Sequence, residues 1–270
     1  DIDCMFELFG GSAIVSMNTN ANKYFIYDIN PHLIELYKLF KEHTEDEIIN
    51  HVNSRIEEYK LPKIRTKRNM LIGREKEIEE YKKSYMKFRE YYNTHKNTLD
   101  FYTLMFFSFS QQFRFNNNGK FNMPFGNDCF TETNEQYIRN GCKFFNNENV
   151  QIIKDDFRNF NIDLLSDKDF VYLDPPYFNT TPTYNEGGWL MKDEMELLKF
   201  CDELNNRNIK FALIFFTASA SIFMVCHKDT NKRAYNNARL RRLDLLDDKV
   251  VELYFGYIVC AFVAVVGMAV

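Results

Sequence analysis

Residues 3–31, "DCMFELFGGSAIVSMNTNANKYFIYDINP", decide the fold. The apolar run at 3–9 reads as a buried strand that ends on Gly10-Gly11-Ser12. Residues 13–18 read as a short helix, and 23–28, "KYFIYD", as a second strand closed by Asp28. Asn30 then stands as an N-cap, with Pro31 at the first position of a helix reaching residue 43. Strand, glycines, helix, strand, acid and helix in this order open a doubly wound sheet, so the fold class is α/β and Rossmann-like. Glycines after a first strand let a ligand approach the backbone, or simply make a tight turn. Asp28, 17 residues after Gly11, can accept from ribose hydroxyls or cap the following helix.

The same alternation resumes far along the chain. "VQIIKDDF" (150–157) and "DFVYLD" (169–174) read as strands, 191–207 as a helix and "KFALIFF" (210–216) as a further strand. What lies between is different. Residues 45–105 are charged and helical by period, with an irregular basic stretch near Pro62 to Gly73. In "FSFSQQFRFNNNGKFNMPFG" (107–126), Asn117-Asn118-Gly119 sits between apolar-alternating arms and signals a β-hairpin. The sequence thus predicts a sheet domain in two parts, 1–44 and 150–215. A subdomain at 45–149 is inserted between them, with its hairpin at about 113–124, and 216–270 forms a separate C-terminal segment.

Composition sets the bounds. The chain has 270 residues and 45% apolar content, enough to bury a large core. Its 27 Phe and 16 Tyr pack cores, or in part stack on a planar ligand. Net charge is −4, so global charge does not advertise nucleic acid. Residues 55–90 nevertheless carry 12 Lys/Arg against 7 acids, and 228–242 carry six cations against Asp229. Such runs meet phosphate or form solvated helix faces. Six scattered cysteines without C-x-x-C and five histidines without ligand spacing predict neither a disulfide framework nor a metal site. No P-loop and no G-x-S-x-G elbow is present. With no secretory signal, a cytoplasmic location is expected, and the start at Asp1 reads as a natural beginning lost upstream. The uncharged run 253–270 has the minimal length of a membrane span, suits closing strands equally, or is a tail from a changed reading frame; a membrane anchor is not expected.

Residues 169–177, "DFVYLDPPY", carry the chemistry. Asp174-Pro175-Pro176-Tyr177 ends a strand of the second half-sheet, where open α/β sheets bind ligands. Prolines lack N–H donors and stiffen the backbone, leaving nearby carbonyls to accept. A fixed carboxylate beside a fixed carbonyl matches a group with two donors, such as an exocyclic amino group. Tyr177 offers a face for a planar base.

With these residues in view, the chain resembles the Dam-type DNA adenine-N6 methyltransferases of the D12 class, α group. The family's Asp-x-Phe-x-Gly motif appears as Glu7-Leu8-Phe9-Gly10-Gly11, and its acid-ending second strand as Tyr27-Asp28-Ile29. The catalytic Asp-Pro-Pro-Tyr matches at 174–177, "RFNNNGKFNMPFG" (114–126) resembles the DNA-reading hairpin, and "YNEGGW" (184–189) the segment after the catalytic motif. The resemblance covers about 5–213. It implies S-adenosyl-L-methionine as methyl donor, double-stranded DNA as partner, a flipped adenine as acceptor, and no metal or obligate protein partner. By carry-over, Asp174 and the Pro175 carbonyl hold the amino hydrogens, Pro176 stiffens the motif and Tyr177 stacks on the base. Glu7, Phe9 and Gly11 line the donor's methionine end, Asp28 and Ile29 its ribose, and Asp156-Phe157 its adenine ring. Arg114 is expected to read a base edge, with Asn116 and Asn118 beside it and Lys120 on phosphate. A GATC-like palindrome is the family-level site.

Three departures stand out. The donor-binding lysine segment that precedes the glycine motif in relatives lies before the chain begins, Glu7 replaces Asp, and nothing past 214 matches the family. Two other readings stay open: a DNA-binding remnant without catalysis, and a cytosine-N4 methyltransferase.

Overall fold

The computed structural model describes residues 1–63, 74–176, 188–217 and 220–226, with only the backbone for 215–217 and 220–226. Tyr177, the basic stretches at 64–73 and 228–242 and the apolar run at 253–270 lie outside the described residues. The chain divides into two compact units. Residues up to Ile34 and from Glu148 onward form one, and Glu35–Asn147 the other.

The first unit is built on a six-stranded sheet. Its strands are β1 (Ile2–Glu7), β2 (Ala21–Asp28), β3 (Val150–Lys154), β4 (Phe170–Leu173), β5 (Lys210–Thr217) and β6 (Ala220–Cys226), in the order β3-β2-β1-β4-β5-β6. The first five are parallel; β6 runs antiparallel to β5. β6 falls in the stretch that the sequence left without a strand. The order reverses between β1 and β4, and that is the crevice where doubly wound sheets hold ligands.

Alternation along the strands sorts the side chains onto two faces. Phe6, Leu8, Val171, Leu173, Phe211 and Leu213 pack with Phe157, Phe160 and the apolar side of α7 (Met191–Asn206), namely Leu197, Phe200, Cys201 and Leu204. Phe6 stacks on Phe25 at 4.7 Å between ring centres. Residues of the other parity, Met5, Ile26 and Tyr172, bury the opposite face. The register places Glu7 between Ile26 and Tyr172 on that face. In chain order α1 (Ile14–Met17) follows β1, and α2 (Pro31–Glu42) follows β2.

The second unit holds α3 (Glu45–Tyr59), α4 (Glu75–His95), α5 (Thr98–Phe107) and α6 (Glu132–Phe145). Capping boxes at Thr44 and Thr131 fix the starts of α3 and α6. Asp100, fully buried, takes His51 Nε2 at 2.7 Å and Arg55 Nε at 2.7 Å. Burial works to raise its carboxyl, but the His51 and Arg55 hydrogen bonds prevail and hold it below the usual range.

The expected hairpin is present as a short antiparallel pairing. Phe115 faces Phe121, Asn122 N–H donates to Arg114 O at 2.9 Å and Asn116 N–H to Lys120 O at 2.9 Å. Its returning arm is held by α4 through backbone atoms. Asn93 receives the Phe121 N–H at 2.8 Å and donates to Phe121 O at 3.0 Å. Tyr85 Oη and Arg89 Nη1 both donate to Met123 O, at 3.0 and 2.9 Å. Phe101, Phe113, Phe115 and Phe121 fill the space beneath. At the hairpin's foot the Gly126 N–H donates to Phe107 O, and a Cβ there would lie 2.4 Å from Ser108 O.

Candidate active site

At the crevice the ladder continues past β1. Leu8 N–H donates to Tyr172 O at 3.1 Å, toward β4, and Gly10 N–H to Tyr27 O at 2.7 Å, toward β2. The chain then turns through Gly11, whose φ of +52° favours glycine, and Ala13 N–H closes the turn on Gly10 O at 2.6 Å. Gly11 N–H donates to Asp28 Oδ2 at 3.0 Å, and Asn30 N–H to Asp28 Oδ1 at 2.7 Å. Asp28 therefore joins the glycine turn to the start of α2. Asn30 caps that helix as the sequence predicts, accepting from His32 N–H at 2.9 Å. Burial raises the Asp28 carboxyl; the N–H groups of Gly11, Asn30 and Ile29 counter it. Ile29 itself is 52% exposed.

Glu7 is 2% exposed. Its Oε2 accepts the Ser16 N–H at 3.1 Å and the Ser16 hydroxyl, which anchors α1 under the turn. Burial pushes its carboxyl up to about 8, against the pull of Ser16 and with help from Asp174 and Asp28. Asp174 follows β4 directly, two positions beyond Tyr172 and so of the same parity as Glu7. Pro175 is buried; Asp174 and Pro176 are half-buried. Glu7, Asp28 and Asp174 thus gather at the carboxyl ends of three adjacent strands, around Gly11.

On the other side of β1, Phe9 packs against Phe157 at 5.2 Å and Trp189 at 5.8 Å between centres. Trp189 Nε1–H donates to Glu194 Oε2 at 2.7 Å, and Glu194 is fully buried. Trp189 and Glu194 were not among the expected site residues. The signal was there, since Trp189 is the chain's one tryptophan and closes "YNEGGW". Asp156 and Phe157 do not end a strand. β3 stops at Lys154, and the pair enters a short 3-10 turn, Phe157–Asn159. Asp156 accepts the Arg158 N–H at 2.9 Å and its guanidinium at 2.8 Å, while the same guanidinium reaches Asp193 and Glu196. Phe157 is 3% exposed and is part of the core.

In the second unit Arg114 is exposed and donates through Nε to Asn122 Oδ1 at 2.8 Å. Asn116 Oδ1 accepts the N–H groups of Asn118 and Lys120, each at 3.0 Å, so this side chain builds the turn. Asn118 and Lys120 are exposed. Far from the crevice, at the start of β1, the ligand atoms of Asp3, Cys4 and Asp169 lie within 4.8 Å of one another. Asp169 already accepts from Cys4 N–H and from Ser166 N–H and Oγ–H, and burial first, then Asp169, pushes the Cys4 thiol up to about 11. No helix among the described residues is long and apolar enough to cross a membrane.

Residues 1–215 match the family model of the D12 class N6 adenine-specific DNA methyltransferases. The chain is 36% identical over 219 residues to the type II methyltransferase M.FokI of Planomicrobium okeanokoites, covering 78% of this chain and 31% of that protein. It is 33% identical over 220 residues to modification methylase StsI of Streptococcus sanguinis, covering 79% and 31%. It is 29% identical over 215 residues to modification methylase LlaI of Lactococcus lactis subsp. lactis, covering 77% and 32%. The chain spans about a third of the length of these curated relatives.

Proposed function

The chain belongs to the D12 class of N6 adenine-specific DNA methyltransferases, and we propose that it methylates the exocyclic amino group of an adenine in a short, GATC-like duplex site, as the modification half of a restriction–modification system. The observation that carries this reading is the convergence of the Gly10-Gly11 turn, Asp28 and Asp174-Pro175-Pro176 at the point where the strand order reverses.

The site's chemistry fits S-adenosylmethionine. Three carboxyl groups meet there, and burial raises both Glu7 and Asp28, so a cation beside them favours their charged forms. A sulfonium and an ammonium group would supply one. When bound, S-adenosylmethionine supplies the methyl group, whose bond to sulfur breaks as its bond to the amino nitrogen forms. Gly11 and Phe9 would border the methionine end, Asp28 with Ile29 the ribose, and Phe157 and Asp156 the adenine ring. Asp174 and the Pro175 carbonyl accept the two hydrogens of the target amino group, which turns its lone pair outward and fixes its direction. Asp174 would also accept the proton that the nitrogen sheds. Tyr177 walls the base after it leaves the stack. The contribution is orientation and electrostatics, with no covalent enzyme intermediate.

The test uses the full-length protein, labelled methyl donor and unmethylated duplex DNA, followed by digestion to nucleosides. Label in N6-methyladenine, lost in Asp174→Ala, is the expected result. Label in N4-methylcytosine would replace the base assignment. DNA binding without any methylated nucleoside would leave only a binding remnant.

A further inference from the structure

We propose that Lys96, at the end of α4, is a phosphate-contacting residue that forms with Lys120 a cationic pair at the hairpin tip for the backbone of a duplex. This rests on reading the hairpin as the element that faces DNA.

The geometry begins with the helix end. Lys96 is the C-cap of α4 at φ 55°, ψ 38°, and its N–H closes on Tyr92 O at 2.7 Å. Its side chain runs across two rings, with Nζ 5.2 Å from the centre of Tyr92 and 5.7 Å from that of Phe115. Nζ then donates to Gly119 O at 2.6 Å, at the tip of the turn. An ammonium has three donors, and Gly119 takes one. The amine is thus held in place on aromatic faces, with donors to spare.

The charge balance around it is one-sided. Residues 107–126 contain no Asp or Glu, although the chain as a whole is net acidic. Several cations elsewhere in this unit have acids: Lys63 with Glu57, Arg74 with Glu77, Arg139 with Asp46. Lys96, Lys120 and Arg114 make no ion pair among the described residues. Burial first, then the neighbouring Lys120 charge, lowers the Lys96 amine. A phosphate between them relieves that repulsion. Gly119, at φ +65° with open space around its Cα, keeps the tip narrow.

Affinity of the full-length protein for two unrelated duplexes, measured across salt concentrations, tests the assignment. One phosphate contact contributes about 0.9 to the slope of log affinity on log salt, or about eight-fold in affinity at 0.1 M. Lys96→Gln should lose that amount on both duplexes alike, and Lys96→Arg should restore it. Asn93→Ala loosens the hairpin arm but keeps the charge, so it should weaken binding with the slope unchanged. A Lys96→Gln slope equal to wild type makes Lys96 a tether only and overturns the proposal. So does an Asn93→Ala slope as shallow as that of Lys96→Gln. A wild-type protein that binds neither duplex removes the functional reading itself.

Discussion

Replacing Glu7 by Gln should remove a large pH dependence from the stability of this chain. Glu7 is sealed from solvent, shares its pocket with Asp28 and Asp174, and has its carboxyl pushed up to about 8 from an ordinary 4.5. The folded chain therefore keeps a proton that the unfolded chain releases between those values. The contribution is fully present below pH 4.5 and is lost as pH rises through 8. A difference of that size corresponds to about 5 kcal/mol between the two limits, at ~1.36 kcal/mol per pKa unit. Gln has the shape of the protonated acid, and its amide oxygen can still accept from Ser16. Urea unfolding of both proteins from about pH 5 to about pH 8.5 isolates the effect, because every other group titrates in both. The wild type should match the variant at the acid end and fall behind it by several kcal/mol at the alkaline end. A difference that stays constant with pH would refute the reasoning. It would mean that Glu7 is ionised throughout and that Ser16 alone satisfies it.

The same acids predict how the methyl donor binds. A cation beside Glu7 and Asp28 favours their charged forms, so binding should release protons and tighten as pH rises toward 8; calorimetry in buffers of different ionisation heat would read this, and proton uptake would contradict it. Gly126→Ala should cost about 2–4 kcal/mol in denaturant unfolding, since the new methyl meets the Ser108 backbone, and a loss below 0.5 kcal/mol would show that the foot of the hairpin can yield.

Much of this was legible in the sequence because it is written in local terms. The apolar runs that became β1 to β5, the Asn30 cap and the Asn117-Asn118-Gly119 turn each declare themselves within a few residues. The end of β4 at Asp174-Pro175-Pro176 does too, since two prolines cannot continue a strand's ladder. The Glu7–Ser16 pairing could not be read, because only the close return of α1 under the strand end makes it. The Trp189–Glu194 bond depends on where α7 lands against Phe9. β6 escaped because its residues follow the point where family likeness stops, and its pairing depends on β5. The boundary between the two units falls between Ile34 and Glu35, inside α2, where an unbroken helical period gives no sign of it. Asn93 is the clearest case: one amide on a charged helix looks like a solvated side chain until Phe121 is set beside it.

The grip of Asn93, Tyr85 and Arg89 falls on main-chain atoms of Phe121 and Met123. Main-chain atoms are common to all residues, so this anchorage is blind to the letters at the tip. Positions 114 and 116–120 are exposed and bond mostly within their own loop. Those letters can therefore be rewritten while the helix goes on holding the loop in the same place.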